Sequence, residues 1–232
     1  MWRRVALCFR LICTSALVVA VLHLGSCDRE PPDGDAGLYG TFTDTTDGTV
    51  YRTLRLGDQY WMVENINRGE MIDGSTDQQD NGVIEKYCYD NNTVLCDKYG
   101  GLYQWGEAMQ YSTQESSRGV CPPGWHIPSD SEWKILELFL GMTREDVDDI
   151  LWRGSAGSQI QPEGDTGFEA LRGGNRFITG SYNRIGNTGY FWTSTEDKDG
   201  HAWRRGISIN EEGIYRSIND KSFGFSVRCI RY

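Results

Sequence analysis

Residues 121–140 read CPPGWHIPSDSEWKILELFL, and this stretch decides the fold. Its opening prolines and glycine, Pro122, Pro123 and Gly124, exclude regular structure. Ser129 and Glu132 then form the S-x-x-E pattern of a helix capping box. An apolar face follows at helical spacing, formed by Trp133, Leu136, Phe139 and Leu140. We therefore predict a helix that begins after Ser129 and ends at Gly141.

A second helix is predicted directly downstream, starting at Thr143. Glu145 and Asp146 lie in its first turn, where the helix dipole favours negative charge. On both sides of these two helices the chain alternates apolar and polar residues as strands do. The predicted strands cover residues 39–43, 50–56, 59–63, 190–195, 202–209 and 224–230. Two central helices with short antiparallel strands from both chain ends indicate an α+β fold, and residues 99–109 add a short predicted helix.

The start of the chain has the pattern of a bacterial lipoprotein signal peptide over residues 1–26. Arg3 and Arg4 precede a mostly apolar run, which is shorter than the ~20 residues that a transmembrane helix needs. Leu24-Gly25-Ser26-Cys27 resembles a lipobox, so Cys27 is the predicted site of lipid attachment. An ordinary cleaved signal and an uncleaved anchor are the alternatives. The signal predicts a lipid-anchored, extracytoplasmic protein of a bacterial membrane, in the cell envelope or at the surface.

A flexible tether is predicted over residues 27–38, because acids, glycine and a proline pair leave almost nothing apolar to bury. Residues 39–232 then suffice for one domain with its own core. The chain is acidic, with 23 Lys and Arg against 33 Asp and Glu. Loss of the signal peptide would leave 20 basic against 33 acidic side chains, a net charge of −13. Nucleic-acid binders need a basic patch, so we expect no nucleic-acid partner.

Four cysteines follow the tether: Cys88, Cys96, Cys121 and Cys229. An even number outside the cytoplasm predicts two disulfides, and the sequence allows three pairings. We favour Cys88–Cys96, which closes a short polar loop, and Cys121–Cys229, which ties the helix entry to the last strand. Loop entropy gives the long closure about 4.7 kcal/mol. A four-thiolate metal site is the alternative, but paired C-x-x-C spacing is absent, so we predict no metal ligands.

Sequence blocks along the domain carry a family resemblance. They are GTFTD at residues 40–44, GDQYWMVEN at 57–65, YGGLYQW at 99–105, CPPGWHIPSD at 121–130, WTSTE at 192–196 and SVRC at 226–229. In this order they resemble the Fibrobacter succinogenes major paralogous domain family and cover most of residues 39–232. The resemblance implies a C-type lectin-like fold with long irregular loops. It also implies a disulfide from the first helix region to the final strand, which agrees with Cys121–Cys229.

Candidate catalytic residues are scarce, and we predict that the protein is not an enzyme. The resemblance implies exported or lipid-anchored proteins without an established reaction. His126 is interpreted as a hydrogen-bonded, partly buried side chain and His201 as a turn residue, and no nucleophile-elbow sequence accompanies them. The alternative is an oxidase resembling formylglycine-generating enzymes, which need reactive cysteines late in the chain. Cys229 is the one late cysteine here.

Aromatic residues in the late half of the chain are the better candidates for ligand binding. We expect this half to be irregular and to carry binding loops, and we select Trp203, Tyr215 and Tyr182 as ligand-binding candidates. Its acidic stretches at residues 211–212 and 219–220, expected in loops, offer oxygens of the kind Ca²⁺ binds. However, residues 161–163 (QPE) only approximate a calcium-dependent sugar motif, so we predict no cofactor.

The predicted function is a non-enzymatic lectin-like module on an envelope or surface lipoprotein, with an extracytoplasmic glycan or protein as its ligand. A structural or adhesive component of the envelope is a further alternative. The membrane is the second predicted partner, through the lipid on Cys27.

Overall fold

The computed structural model describes residues 38–198 and 200–232. The predicted signal peptide, Cys27 and most of the tether lie outside these residues, and the predictions for them stay predictions. Within the described ranges, no helix combines the length and the apolar content that crossing a membrane requires.

One antiparallel sheet joins the two ends of the domain. Strands β1 (Tyr39–Thr43), β2 (Val50–Leu56) and β3 (Gln59–Met62) form a meander, and the last strand, β12 (Ile230–Arg231), pairs with β3. Burial in β2 alternates over residues 50–53, as the sequence predicted, but Leu54 is buried directly after Thr53, so the alternation does not continue along the whole strand. The left-handed backbone of Gly57 (φ +61°) makes the turn from β2 to β3, a conformation that glycine adopts readily.

One short strand pair and two short helices follow. The parallel pair β4 (Glu70–Met71) and β5 (Glu85–Lys86) precedes α1 (Thr93–Tyr99) and α2 (Trp105–Ala108). Residues 88–96 were expected to form a polar loop, but most of them belong to α1 and a preceding 3-10 turn, because the Asn92 side chain caps the helix at Val94. The helix predicted over residues 99–109 shortens to α2, since Leu102 and Tyr103 are held in extended backbone by isolated bridges to Tyr87 and Phe225.

The stretch that decides the fold forms the longest helix among the described residues, α3 (Asp130–Phe139). Its capping box is complete, with Ser129 Oγ accepting from the Glu132 amide and Glu132 accepting from the Ser129 amide. Helix α4 (Arg144–Asp148) begins after Thr143 with the same arrangement, and α5 (Ala156–Ile160) follows. The predicted starts of both central helices are confirmed.

A second antiparallel sheet carries the late half of the chain. Its order is β6 (Leu151–Arg153), β11 (Ile214–Asp220), β10 (His201–Ser208) and β9 (Thr188–Glu196), and β7 (Asn175–Arg176) pairs separately with β8 (Tyr182–Asn183). The expectation of an irregular late half therefore holds only in part: residues 161–173 contain no helix or strand, whereas β9, β10 and β11 form regular ladders.

Two strand predictions need correction. Asn219 and Asp220 were expected in a loop but end β11, whose outward residues are too polar for the strand pattern to stand out. Residues 224–230 were expected to form one strand. Instead Phe225, Ser226 and Ile230 bridge to three different segments, so no continuous ladder forms before β12.

The core consists of two clusters of buried apolar residues. One is built around Trp61, Trp133, Phe168 and Phe191, and the other around Trp105, Trp192, Phe225 and the Cys121–Cys229 disulfide. Cys88 pairs with Cys96, so both favoured pairings are present. The fold is a mixed α and β structure with few helices and several small, mostly antiparallel sheets.

Candidate functional site

The sheet β6-β11-β10-β9 has two chemically different faces. Successive residues of a strand point to opposite faces, and this rule separates the neighbours Arg204 and Arg205 on β10. Arg205 is completely buried against α3. Arg204 lies on the opposite face, which is the candidate site.

The face toward α3 holds a buried network of charges, which we call the network face. Its members are Asp130, Glu137, Arg153, Arg205 and Arg216. Arg205 donates to Glu137 at 2.6 Å and to Asp130 at 2.7 Å. Burial alone would raise the pKa of Asp130, but hydrogen bonds and charge from Arg216 and Arg205 outweigh it and hold that pKa well below its ordinary range. Each arginine of this face therefore has a carboxylate partner.

On the opposite face, Arg204 lies between aromatic rings. Its guanidinium carbon is 4.5 Å from the ring centroid of Tyr215, 5.0 Å from that of Tyr190 and 5.8 Å from that of Phe225. Strand register explains this grouping, because Tyr190 and Tyr215 flank Gly206 on the two neighbouring strands. A Cβ on Gly206 would lie 2.9 Å from an Arg204 terminal nitrogen, so the glycine leaves room for the guanidinium.

The rings continue away from Arg204 in both directions. Trp152 lies opposite Tyr215 with its ring at 5.0 Å, and Phe225 stacks on Tyr190 at 5.2 Å. Phe223 extends the row beyond Phe225. These rings and Arg204 line two adjoining cavities of about 490 and 350 Å³, which we call the aromatic cleft. Its size is that of a small-ligand site.

The aromatic cleft contains arginines that have no carboxylate partner in the described part of the chain. Among residues 38–198 and 200–232, no carboxylate forms an ion pair with Arg204 or with Arg184, which also lines both cavities. Arg204 donates through Nε to Asn219 Oδ1 at 2.7 Å. Burial lowers the pKa of Arg204 to about 10, so the side chain is still charged at neutral pH.

An unpaired amide also faces this cleft. Asn175 lines the larger cavity and is only 4% exposed. The structure gives its side chain no hydrogen bond to any described residue, and its polar atoms are not fully enclosed, so the amide is open to a ligand in the cavity. Asn183 and Asn219 line the same cavity. The cleft thus combines aromatic faces, a cation and amide groups, which can bind a ligand that has flat apolar faces and polar edges.

The ligand-binding candidates from the sequence are divided by the fold. Tyr215 lies in the aromatic cleft, together with Trp152 and Tyr190. Trp203 lies on the other face of β10 and covers Arg216, whose guanidinium carbon is 3.8 Å from the indole centroid. Tyr182 packs against Tyr89 and donates to Asn91. All three candidates lie on strands rather than on binding loops.

The histidines and the calcium-like motif considered in the sequence lie outside the cleft. His126 is half-buried, and its Nε2 lies 2.7 Å from Glu132 Oε1, as its structural interpretation predicted. His201 lies on β10 instead of in a turn. Glu163 of the calcium-like motif pairs with Arg172 at 2.7 Å. In the part of the chain that the structure describes, no group of three or more His, Cys, Asp or Glu is arranged to hold a metal ion.

Sequence analysis missed Arg204 and Asn175, which matter most to this cleft. The available signal was the pattern Arg204-Arg205-Gly206 in a predicted strand, which places a charged residue and a glycine on one face. No sequence pattern shows that the charge lacks a partner, since partners come from distant segments.

Comparison with known proteins gives a family but no characterised relative. The model of the Fibrobacter succinogenes major domain matches residues 54–231, which include every lining residue of the aromatic cleft. Neither a curated protein nor a solved structure matches the chain. The chain belongs to the Fibrobacter succinogenes major domain family.

Proposed function

We propose that the domain is a non-enzymatic, lectin-like module that binds a glycan in the aromatic cleft. The observation that carries this proposal is the row of rings around Arg204. Sugars present flat C–H faces and hydroxyl edges, and the cleft supplies ring faces beside amide and guanidinium donors. Trp152 is 37% exposed, which leaves its ring available to a ligand.

The proposal includes the C-type lectin-like fold and the lipoprotein context. The fold is supported by the chain ends sharing one sheet and by the disulfide from the entry of α3 to the segment before β12. The lipobox at Cys27 supports an anchor in a bacterial membrane, with the domain outside the cytoplasm. Two disulfides suit that oxidising location.

The oxidase alternative receives less support. Such an enzyme would need reactive thiols, whereas all four cysteines of the described ranges are joined in Cys88–Cys96 and Cys121–Cys229. Thiol-based oxidation also gives no role to the aromatic rings of the cleft. A protein ligand and a structural role in the envelope are outcomes of the following test.

The test is glycan-array binding of the whole chain in detergent, with and without a calcium chelator. Trp152→Ala should weaken glycan binding at least about tenfold, as truncation of an aromatic hot-spot residue does. Phe139→Ala is the matched control, because Phe139 is 55% exposed but lies on α3, outside the cleft. Binding that survives chelation supports the aromatic cleft as the site.

Two results would count against the proposal. Equal losses in Trp152→Ala and Phe139→Ala would place the ligand elsewhere. No glycan binding at all, together with a crosslinked protein partner, would favour a protein ligand or a structural role.

A further inference from the structure

We infer that the aromatic cleft selects saccharides that carry a carboxylate, with Arg204 as the group that receives it. This inference rests on the proposed glycan-binding function and names its ligand class. It is carried by an arginine with unused donors, by the charge of the surrounding cleft and by the position of that charge among the rings.

The hydrogen-bonding capacity of Arg204 is mostly unused. A guanidinium has five N–H donors and no acceptor. Of these, the Nε donor bonds to Asn219, and the structure gives the two terminal nitrogens no partner among the described residues. Buried Arg228 provides the contrast, since its terminal nitrogens donate to Asn65 and to backbone carbonyls. Arg204 is therefore a charged, oriented donor pair that still lacks its acceptor.

The cleft is positively charged, whereas the chain as a whole is negatively charged. The chain has a formal net charge of −10, yet Arg184 and Arg204 both line the two cavities. Glu211 is the one carboxylate among the residues lining these two cavities, and it lies at the smaller one. An acidic protein with a cationic cleft attracts an anionic ligand to that cleft and repels it elsewhere.

The shape of the site favours a carboxylate over a simple anion. A guanidinium presents two parallel N–H donors that match the two oxygens of a carboxylate. Because Tyr190 and Tyr215 lie near the Arg204 guanidinium, those rings and Trp152 would contact the body of the ligand while its acid group meets the donors. A free inorganic anion would leave the rings and the Asn175 amide unused. A sugar acid uses all of them.

The position of Arg204 also orients the ligand. Tyr215 and Trp152 continue the row on one side, and Tyr190, Phe225 and Phe223 continue it on the other. Phe225 is only 2% exposed and forms part of the cleft floor, whereas Trp152 is 37% exposed and Phe223 is partly exposed. An oligosaccharide can therefore place an acidic unit at Arg204 and neighbouring units against Trp152 on one side and Phe223 on the other. Asn175 and Asn183 are close enough to the larger cavity to meet hydroxyl groups there.

The experiment compares acidic sugars with neutral sugars of the same backbone, by calorimetric titration of the whole chain. One pair is trigalacturonate and its methyl ester, and the other is sialyllactose and its methyl ester, so uronic and nonulosonic acids are tested separately. We expect at least one acid to bind about 30-fold more tightly than its neutral partner, as charge-assisted hydrogen bonds predict. Arg204→Gln should remove that preference, while Arg144→Gln, the same change at an exposed arginine on α4, should retain it.

A second variant keeps the arginine but moves it. In Gly206→Ala the new Cβ would meet the Arg204 terminal nitrogen at 2.9 Å and Tyr215 Cβ at 3.1 Å. The flexible guanidinium must shift, so the preference for the acid should fall although no charged group is lost. Thermal unfolding of each variant confirms that the domain is folded.

The outcomes separate this inference from the proposed function. If the neutral sugars bind as well as the acids, and Trp152→Ala alone weakens them, the glycan-binding function stands and the carboxylate inference fails. If no sugar of either pair binds and an acidic peptide does so through Arg204, both fail. Acid selectivity that is unchanged in both Arg204→Gln and Gly206→Ala would also overturn the assignment of Arg204.

Discussion

Two faces of one sheet treat arginine in opposite ways. On the network face, Arg153, Arg205 and Arg216 are at most 7% exposed and each donates to Asp130 or Glu137. On the cleft face, Arg204 has tyrosine rings and one amide around it and no carboxylate within the described residues. One residue of strand alternation separates the two environments. The paired arginines therefore hold the sheet to α3, whereas Arg204, which has no carboxylate partner in the ranges described, is available to a ligand.

The largest expected effect comes from breaking the network face. Arg205→Met removes the shared partner of Asp130 and Glu137 and leaves buried negative charge uncompensated. Loss of one partner of a buried ion pair costs about 3–5 kcal/mol, and we expect a loss of that size in the free energy of unfolding. Urea denaturation measures it.

Ligand binding provides the complementary readout for Arg205→Met. At low temperature, where the variant is folded, its affinity for sugars should stay within about twofold of the unmodified chain, because the Arg205 side chain points away from the cleft and shares no hydrogen-bond partner with Arg204. A loss in stability below 1 kcal/mol would show that the network does not hold the sheet to α3, and the contrast between the faces would disappear.

Acid pH should lower the stability of the domain through carboxylates of α3, which packs on the network face. Burial alone would raise the pKa of Glu132, but hydrogen bonds from His126 and Ser129 outweigh it and lower that pKa to about 2 from an ordinary 4.5. Because the pKa values of Glu132 and Asp130 are depressed in the folded state, their stabilisation is complete above about pH 4.5 and is lost as the pH falls toward 2. We expect at least about 2 kcal/mol of loss over this range.

Chemical denaturation at a series of pH values tests this prediction. Asp130→Asn, which is less stable at neutral pH, should show a shallower decline. Arg204→Gln should follow the profile of the unmodified chain in parallel, since Arg204 does not titrate between pH 2 and 5. A flat profile in the unmodified chain would contradict the assignment.

Trp203 and Tyr215 sharpen the comparison between the two faces at single residues. Trp203 covers Arg216 at 3.8 Å on the network face, and a partly desolvated cation–π contact contributes about 1–2 kcal/mol. Trp203→Ala should therefore lower stability by about 2 kcal/mol and leave sugar affinity unchanged. Tyr215→Ala should weaken sugar binding with a smaller effect on stability. The reverse result would return the ligand to Trp203, another of the three candidates that the sequence had selected.

The elements that local sequence could predict were those with complete local signals. Ser129 and Glu132 predict the start of α3 by themselves, and the alternation of apolar and polar residues predicts β2. Strand β11 escaped prediction because its outward side chains are polar, and residues 224–229 failed as a strand because their backbone partners belong to several distant segments. Local patterns identify an element, but long-range pairing decides whether it forms a ladder.

The site was less accessible to sequence reasoning than the fold. The dipeptides Trp152-Arg153, Arg204-Arg205 and Tyr215-Arg216 each place one residue in the cleft and the next on the network face. Aromatic content therefore pointed to the correct half of the chain but could not separate Tyr215 from Trp203. Only the three-dimensional positions of Asp130 and Glu137 show which arginines they neutralise.

The smallest expected effect is also the most specific to the cleft face. The pKa of Arg204 is lowered to about 10 because burial disfavours its charge, so the folded protein holds this cation at some cost in stability. Arg204→Met retains the length and the ring contacts without the charge, and we expect stability to rise by about 0.5–1 kcal/mol, as when a functional residue is replaced. Thermal and urea unfolding measure the gain. A loss above 1 kcal/mol would mean that Arg204 stabilises the sheet as Arg205 does, and the two faces would then serve one structural purpose.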